Sequence, residues 1–253
     1  MREVQVGAPQ GDLFETIGDA QVPAPGASSA KPGHPSRAQQ AHQAQQGQHG
    51  HSQDPGLAVP DGWTYRAEFM APDEEAALLR RIGALPLHAA RYKAYTAKRR
   101  IASFGTEYDF DRNRLLPGDA LPAWLEPLRA RCAEWVGIAP EAFSSALVAE
   151  YAPGTPLGWH RDVPDFELVV GVSLGTTARM RMRRYPPLQP KKADVISIEL
   201  APRSAYVLRD AARWGWQHSI APTPALRHSI TFRTRVDGGA RAAPVGRDAP
   251  QAA

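Results

Sequence analysis

Leu147-Val-Ala-Glu-Tyr-Ala-Pro-Gly-Thr-Pro-Leu-Gly-Trp-His-Arg-Asp162 is the stretch on which the reading of this chain turns. Its first half alternates: residues 147, 149 and 151 share one face of a strand over Ala146–Tyr151. The Pro- and Gly-rich turn at 152–156 folds the chain back, so that Tyr151 points inward beside His160. Downstream, Glu167–Leu174, Ala178–Arg183, Asp194–Leu200, Ser204–Leu208 and His228–Arg233 are short, β-branched and separated by Gly or Pro. Short strands at such intervals predict a β-sandwich or barrel. Upstream, Pro72–Ile82 opens with proline and acids before apolar residues at helical spacing. A second helix is predicted over Ala123–Val136, with Trp124, Leu125, Leu128, Cys132 and Trp135 on its apolar side. Helices first and strands after give an α+β domain.

The chemistry is concentrated in the same stretch. Two residues apart on a strand, His160 and Asp162 can reach one ion together, and a later histidine would complete a facial triad of the non-haem Fe(II) type. A lone His-x-Asp is more often a surface pair. Its weight rises with the last strand, where Arg227, Ser229, Thr231 and Arg233 share one face and His228, Ile230 and Phe232 the other. Two arginines in phase can grip a dicarboxylate, because guanidinium binds carboxylate through paired hydrogen bonds. His228 lies on the face opposite Arg227 and Arg233, so His218 fits the third position better and His228 reads as an ordinary half-buried residue. Taken singly, Arg227 and Arg233 read as plain sheet-face arginines and Tyr151 as a core tyrosine. Lys98–Arg100 and the alternating Arg179, Arg181 and Arg183 read as solvated faces, of interest only if they rim a metal pocket.

Composition frames this site. Residues 1–58 are rich in Gly, Pro, Ser, Gln and His and carry too little apolar surface to offset ordering entropy, so a disordered tail is expected. A second tail is expected over 238–253, which leaves 59–237 as one domain with a well-filled core. The single cysteine, Cys132, excludes an internal disulfide and a cysteine-based zinc cluster. A net charge of +4 and a pI of about 9.4 mildly favour an anionic partner. No apolar run is long enough to span a bilayer and no leader is evident, so a cytoplasmic protein without a membrane partner is expected.

Together, the 147–162 run, Val172-Ser-Leu-Gly175, His218-Ser-Ile220 and Arg227-His-Ser-Ile-Thr-Phe-Arg233 resemble the AlkB family of Fe(II)- and 2-oxoglutarate-dependent dioxygenases. The resemblance spans roughly 61–236 and is strongest over 147–175 and 206–235. It implies a double-stranded β-helix (jelly-roll) core with flanking N-terminal helices. It also implies iron on His160, Asp162 and His218, and 2-oxoglutarate held by Arg227 with Tyr151 and Ser229, with Arg233 near the keto-acid end and Asp162. The reaction it implies consumes O2 and 2-oxoglutarate, releases succinate and CO2, hydroxylates an N-methyl group and lets formaldehyde leave. The expected partner is alkylated single-stranded nucleic acid. The stretch Tyr92-Lys-Ala-Tyr-Thr-Ala-Lys-Arg-Arg-Ile-Ala-Ser-Phe-Gly105 resembles the family's substrate lid, which makes Tyr95, Lys98, Arg99, Arg100 and Phe104 substrate candidates. Asp165 joins them, with Glu167 as the alternative, for the acid that follows the metal aspartate in the family's bacterial repair enzymes. The sequence departs from the DNA-repair members at Ala149 and Ser229, where asparagine is frequent, and in a shorter 163–167 loop. In that loop it is more similar to members acting on RNA or protein. The alternatives are the same chemistry on a methylated protein side chain, or a catalytically silent jelly-roll module that binds nucleic acid.

Overall fold

Alternation along each strand sorts this chain into layers. In the computed structural model, which describes residues 58–92, 95–188 and 191–236, the two faces of each central strand carry different chemistry. Among the described residues seven strands form the larger sheet: β1 (Trp63–Arg66), β2 (His88–Tyr92), β3 (Tyr95–Phe104), β6 (Phe143–Tyr151), β8 (Phe166–Leu174), β11 (Ser204–Leu208) and β13 (Arg227–Arg235). Their order in space is β1-β11-β8-β13-β6-β3-β2. A four-stranded sheet of order β10-β9-β12-β7 faces it, built from β7 (Leu157–His160), β9 (Ala178–Arg184), β10 (Ile196–Leu200) and β12 (Trp216–Ile220). β4 (Thr106–Asp109) and β5 (Arg114–Pro117) form a separate hairpin. All of these strand pairings are antiparallel, and the two facing sheets make a jelly-roll core.

Two helices cover the outer face of the larger sheet. α1 (Pro72–Gly83) begins with Pro72 and three acids and ends with Arg80 and Arg81, charges that match the helix dipole at both ends. It buries Leu78 and Ile82 against the sheet, each contributing about 1.5–3 kcal/mol. α2 (Glu126–Val136) adds Leu128 and Cys132 and stops at Gly137, whose φ of 74° is the left-handed cap. The predicted helix start at Ala123 is a 3-10 turn instead. Pro127 has no N–H to bond back to Ala123, so α-helical pairing begins at Glu126. Even-numbered residues of β13, β8 and β6, such as Ile230, Val172 and Val148, belong to this helix-side core. A second core lies between the sheets, where Met180, Met182, Ile198 and Trp216 meet Val169, Tyr206 and Leu208.

Two expectations are corrected here. The order is not helices first and strands after: β1 precedes α1, and β2 to β5 lie between the two helices. Those strands escape a hydrophobic pattern because their outer faces are charged, as in Lys98 and Arg100 on β3. The strand expected from Asp194 starts at Ile196, since Asp194 closes a 3-10 turn by accepting the Lys191 N–H at 2.8 Å. The expected tails, 1–58 and 238–253, lie outside the described residues except for Ala58. No described helix is long and apolar enough to cross a membrane.

Candidate active site

His160 ends β7 and His218 sits in the middle of β12, directly opposite it across the antiparallel pair. Pairing on one sheet face brings their ring centroids to 4.2 Å. Asp162 completes the group: one ligand atom from each of the three residues lies within 4.8 Å of the others. The pleat does not place Asp162, because β7 ends at His160. Arg233 places it, its Nε donating to Asp162 Oδ1 at 2.8 Å, while Oδ2 lies 3.7 Å from His218 Nε2. Behind it, the buried Arg213 at the end of α3 (Asp210–Trp214) donates to the carbonyls of Val163 and Phe166 at 2.7 and 2.6 Å. That clamp fixes the loop after Asp162.

Electrostatics suit a cation. Burial, then the neighbouring His218, pulls His160 down to about 3, and burial pulls His218 down to about 4, so both rings are neutral with a lone pair available. His160 Nδ1 lies 2.9 Å from the Gly158 carbonyl, which accepts a hydrogen bond from that nitrogen, keeps the proton there and leaves Nε2 free for the site. Burial alone would raise the Asp162 carboxyl. The guanidinium of Arg233, with His218 and Arg213, outweighs it and holds the group well below the carboxylate range.

A cavity of ≈ 280 Å³ opens from this group between the two sheets. Arg227 is buried beneath it, directly opposite Tyr151 across the β13–β6 pair, with its guanidinium carbon 4.9 Å from that ring. Arg227 Nε donates to Ser173 Oγ at 3.2 Å, while its Nη1 is buried with no hydrogen-bond partner among the described residues. A buried guanidinium nitrogen without an acceptor is costly, and a carboxylate supplies what it lacks. Tyr151 takes a long hydrogen bond, 3.5 Å, from Arg99 Nη1, and Ser229 lines the cavity with it. Burial would raise its hydroxyl, but Arg99 and Arg227 overcome that and lower it. Across the cavity Tyr206 lies flat on Gly171, where an added Cβ would come within 2.2 Å of the ring.

A family model described as the 2OG-Fe(II) oxygenase superfamily matches residues 79–235, more than half of the chain. The chain belongs to that superfamily. It is a 2-oxoglutarate-dependent dioxygenase, and the family uses Fe(II) with 2-oxoglutarate and O2. An uncharacterized protein of Acanthamoeba polyphaga mimivirus is 27% identical over 187 residues, covering 68% of this chain and 84% of that one. The solved structure of OsALKBH1 aligns with a TM-score of 0.58 at 14% identity, over 72% of this chain and all of that chain. A prolyl-4-hydroxylase from Pseudomonas putida aligns with a TM-score of 0.48 at 18% identity, over 70% of this chain and 94% of that one. The OsALKBH1 likeness is one of fold, and it agrees with the jelly-roll core.

In this oxygenase, His160, Asp162 and His218 form a candidate iron site, and the unpaired Arg227 nitrogen fits a keto-acid carboxylate. The expected lid residues divide by strand phase. β3 pairs with β6 so that Ile101 faces Ala149, which puts Arg99, Ile101 and Ser103 in the cavity wall. Lys98, Arg100 and Phe104 are on the other face. Lys98 is exposed, Arg100 pairs with Glu150 at 2.7 Å, and Phe104 is packed in the helix-side core. Tyr95 begins β3, and its side chain lies outside the described residues. Asp165 borders a separate shallow pocket with Arg235, although its charge reaches Tyr108 on the cavity wall. Ser173, Tyr206 and Arg213 were not anticipated. A buried arginine bonded to backbone carbonyls has no signature in sequence. The aromatic trio Tyr92, Phe110 and Tyr108 was also missed in part; its rings meet edge to face at 4.8 and 4.9 Å beside the cavity. Here the alternation of Tyr108 and Phe110 was a visible clue.

Proposed function

We propose that this oxygenase is an AlkB-like oxidative N-demethylase of alkylated nucleic acid. The observation that carries the reading is the aromatic trio Tyr92, Phe110 and Tyr108 at the wall of the same cavity as the candidate iron site. Flat aromatic walls suit a splayed-out base, each stack contributing about 1–3 kcal/mol. Arg99 lies in that wall with its guanidinium carbon 5.4 Å from the Tyr92 ring, a charge that disfavours a methyl-ammonium, and so a methylated lysine, and by the same repulsion favours a neutral N-methyl base over a cationic one.

In this reading His160, Asp162 and His218 hold Fe(II). Arg227, with Tyr151 and Ser229, holds the far carboxylate of 2-oxoglutarate, and Arg233 orients Asp162. Bound iron with 2-oxoglutarate and O2 supplies a two-electron oxidation, with succinate and CO2 as co-products. The apolar wall of Leu147, Leu157, Met180 and Ile220 keeps water from the reacting carbon. Hydroxylation of the N–CH3 carbon gives N–CH2OH, which breaks its C–N bond to leave N–H and formaldehyde.

The test compares oxygen-dependent formaldehyde release from methylated DNA and RNA oligonucleotides and from methyl-lysine peptides. Release from oligonucleotides is expected. Release from peptides alone would transfer the activity to protein, and 2-oxoglutarate turnover without any release would leave the AlkB-like reading without its reaction.

A further inference from the structure

We infer that the outer face of the four-stranded sheet is a docking surface for a single nucleic-acid strand, separate from the reaction cavity. β9 turns Ala178, Met180 and Met182 into the inter-sheet core, so Arg179, Arg181 and Arg183 take the outer face, Arg179 exposed, Arg181 half-buried and Arg183 buried beneath them. Arg181 and Arg183 reach across β12 and lie over the Trp159 indole of β7, with guanidinium carbons 5.2 and 4.5 Å from its centroid. Neutral side chains of β12 fix their orientation: Arg181 Nε donates to Ser219 Oγ at 3.0 Å, and Arg183 Nε to Gln217 Oε1 at 2.8 Å. At the end nearer the candidate iron site, Arg161 borders the cavity and lies 3.7 Å over the Tyr185 ring. Against these cations, the carboxylate facing Arg179 is Glu199, at 4.0 Å with both side chains largely exposed. Burial and the adjacent Arg183 charge together lower Arg181, the mark of like charges crowded on one face.

This array fits a polyanion that also carries flat rings. Guanidinium forks take phosphate oxygens, and guanidinium planes backed by an indole are platforms for unstacked bases. An acidic peptide would use the charge and not the stacked planes. The face is continuous with the cavity mouth, because Trp159 and Arg161 flank His160 on one run of chain. The inference deepens the nucleic-acid reading above and rests on it for the nature of the strand, while its test is binding without turnover.

The test uses the full chain carrying Arg179→Glu and Arg181→Glu, neither of which borders the cavity. Affinity for a fluorescent single-stranded oligonucleotide is followed by anisotropy over a range of salt. Loss of two phosphate contacts should weaken binding roughly tenfold or more and flatten the slope of log K against log salt by about 1.4. Thermal unfolding and substrate-free succinate release should match the wild type. Arg179→Gln with Arg181→Gln should give a smaller loss in the same direction, which keeps the test usable if the charge-reversed chain fails to fold. Unchanged affinity and slope in either variant overturn the docking face. So does displacement of the oligonucleotide by polyglutamate at equal charge concentration, which would assign the face to acidic protein. Binding that depends on these arginines without formaldehyde from any oligonucleotide would sink the demethylase reading and leave the docking face standing.

Discussion

At the scale of single residues, Arg227 is the most exposed to test. Its Nε is satisfied by Ser173 and its Nη1 by nothing among the described residues, so the side chain is arranged for a ligand rather than for the fold. Arg227→Gln should raise the KM for 2-oxoglutarate by roughly ten- to a hundredfold, the equivalent of about 1.5–3 kcal/mol for a charge-assisted pair. Circular dichroism should show the variant folded; an unchanged KM would assign the carboxylate elsewhere. Cys132 makes the opposite case. Burial in the helix-side core pushes its thiol up to about 12, so the group stays protonated and inert. An aromatic disulfide reagent at pH 8 should label it only after denaturant is added. Because the folded thiol is the weaker acid, its contribution to stability is complete below the unfolded value. That contribution is lost as pH rises from about 9 toward 12, where alkaline unfolding should be seen.

At the scale of elements, two contacts hold the cavity in shape. Arg213 ties α3 to the carbonyls of Val163 and Phe166, and so fixes the loop behind Asp162. Arg213→Met strips those acceptors and should lower unfolding stability by about 2–4 kcal/mol. It should also weaken binding of Mn(II) as a surrogate ion, whereas a merely structural role would leave metal affinity intact. The β8–β11 pair sets Gly171 opposite Tyr206, with no room for a methyl group between them. Gly171→Ala should therefore destabilise by about 1–3 kcal/mol, and Tyr206→Ala in the same chain should recover part of that loss. Additive losses in denaturant melts would show that the ring does not press on Gly171.

At the scale of the whole molecule, the site is a product of two sheets: β7 and β12 bring the imidazoles, while β13 brings the arginine that orients Asp162. An ion joining these parts should stabilise the fold. At a concentration a hundred times its Kd, Mn(II) should add about 2.7 kcal/mol, which His160→Ala should abolish. Calorimetry with and without chelator reads this directly, and an equal shift in both chains would place the ion elsewhere.

The sequence by itself determined the features that depend on short-range period. The face shared by residues 147, 149 and 151, the face shared by Arg227, Ser229 and Arg233, and the rejection of His228 all follow from side chains alternating along a strand. The tertiary structure alone decided what depends on partners distant in the chain. Asp162 lies beyond its strand and is held by Arg233, 71 residues away. Lys98, Arg100 and Phe104 share a segment with Arg99 and yet leave the cavity to it, because the pairing of β3 with β6 selects the odd-numbered face. A strand with a charged outer face carries no hydrophobic period to announce its phase. Its hydrogen-bonded register fixes which side chains meet the site, and that register exists only once the sheet has formed.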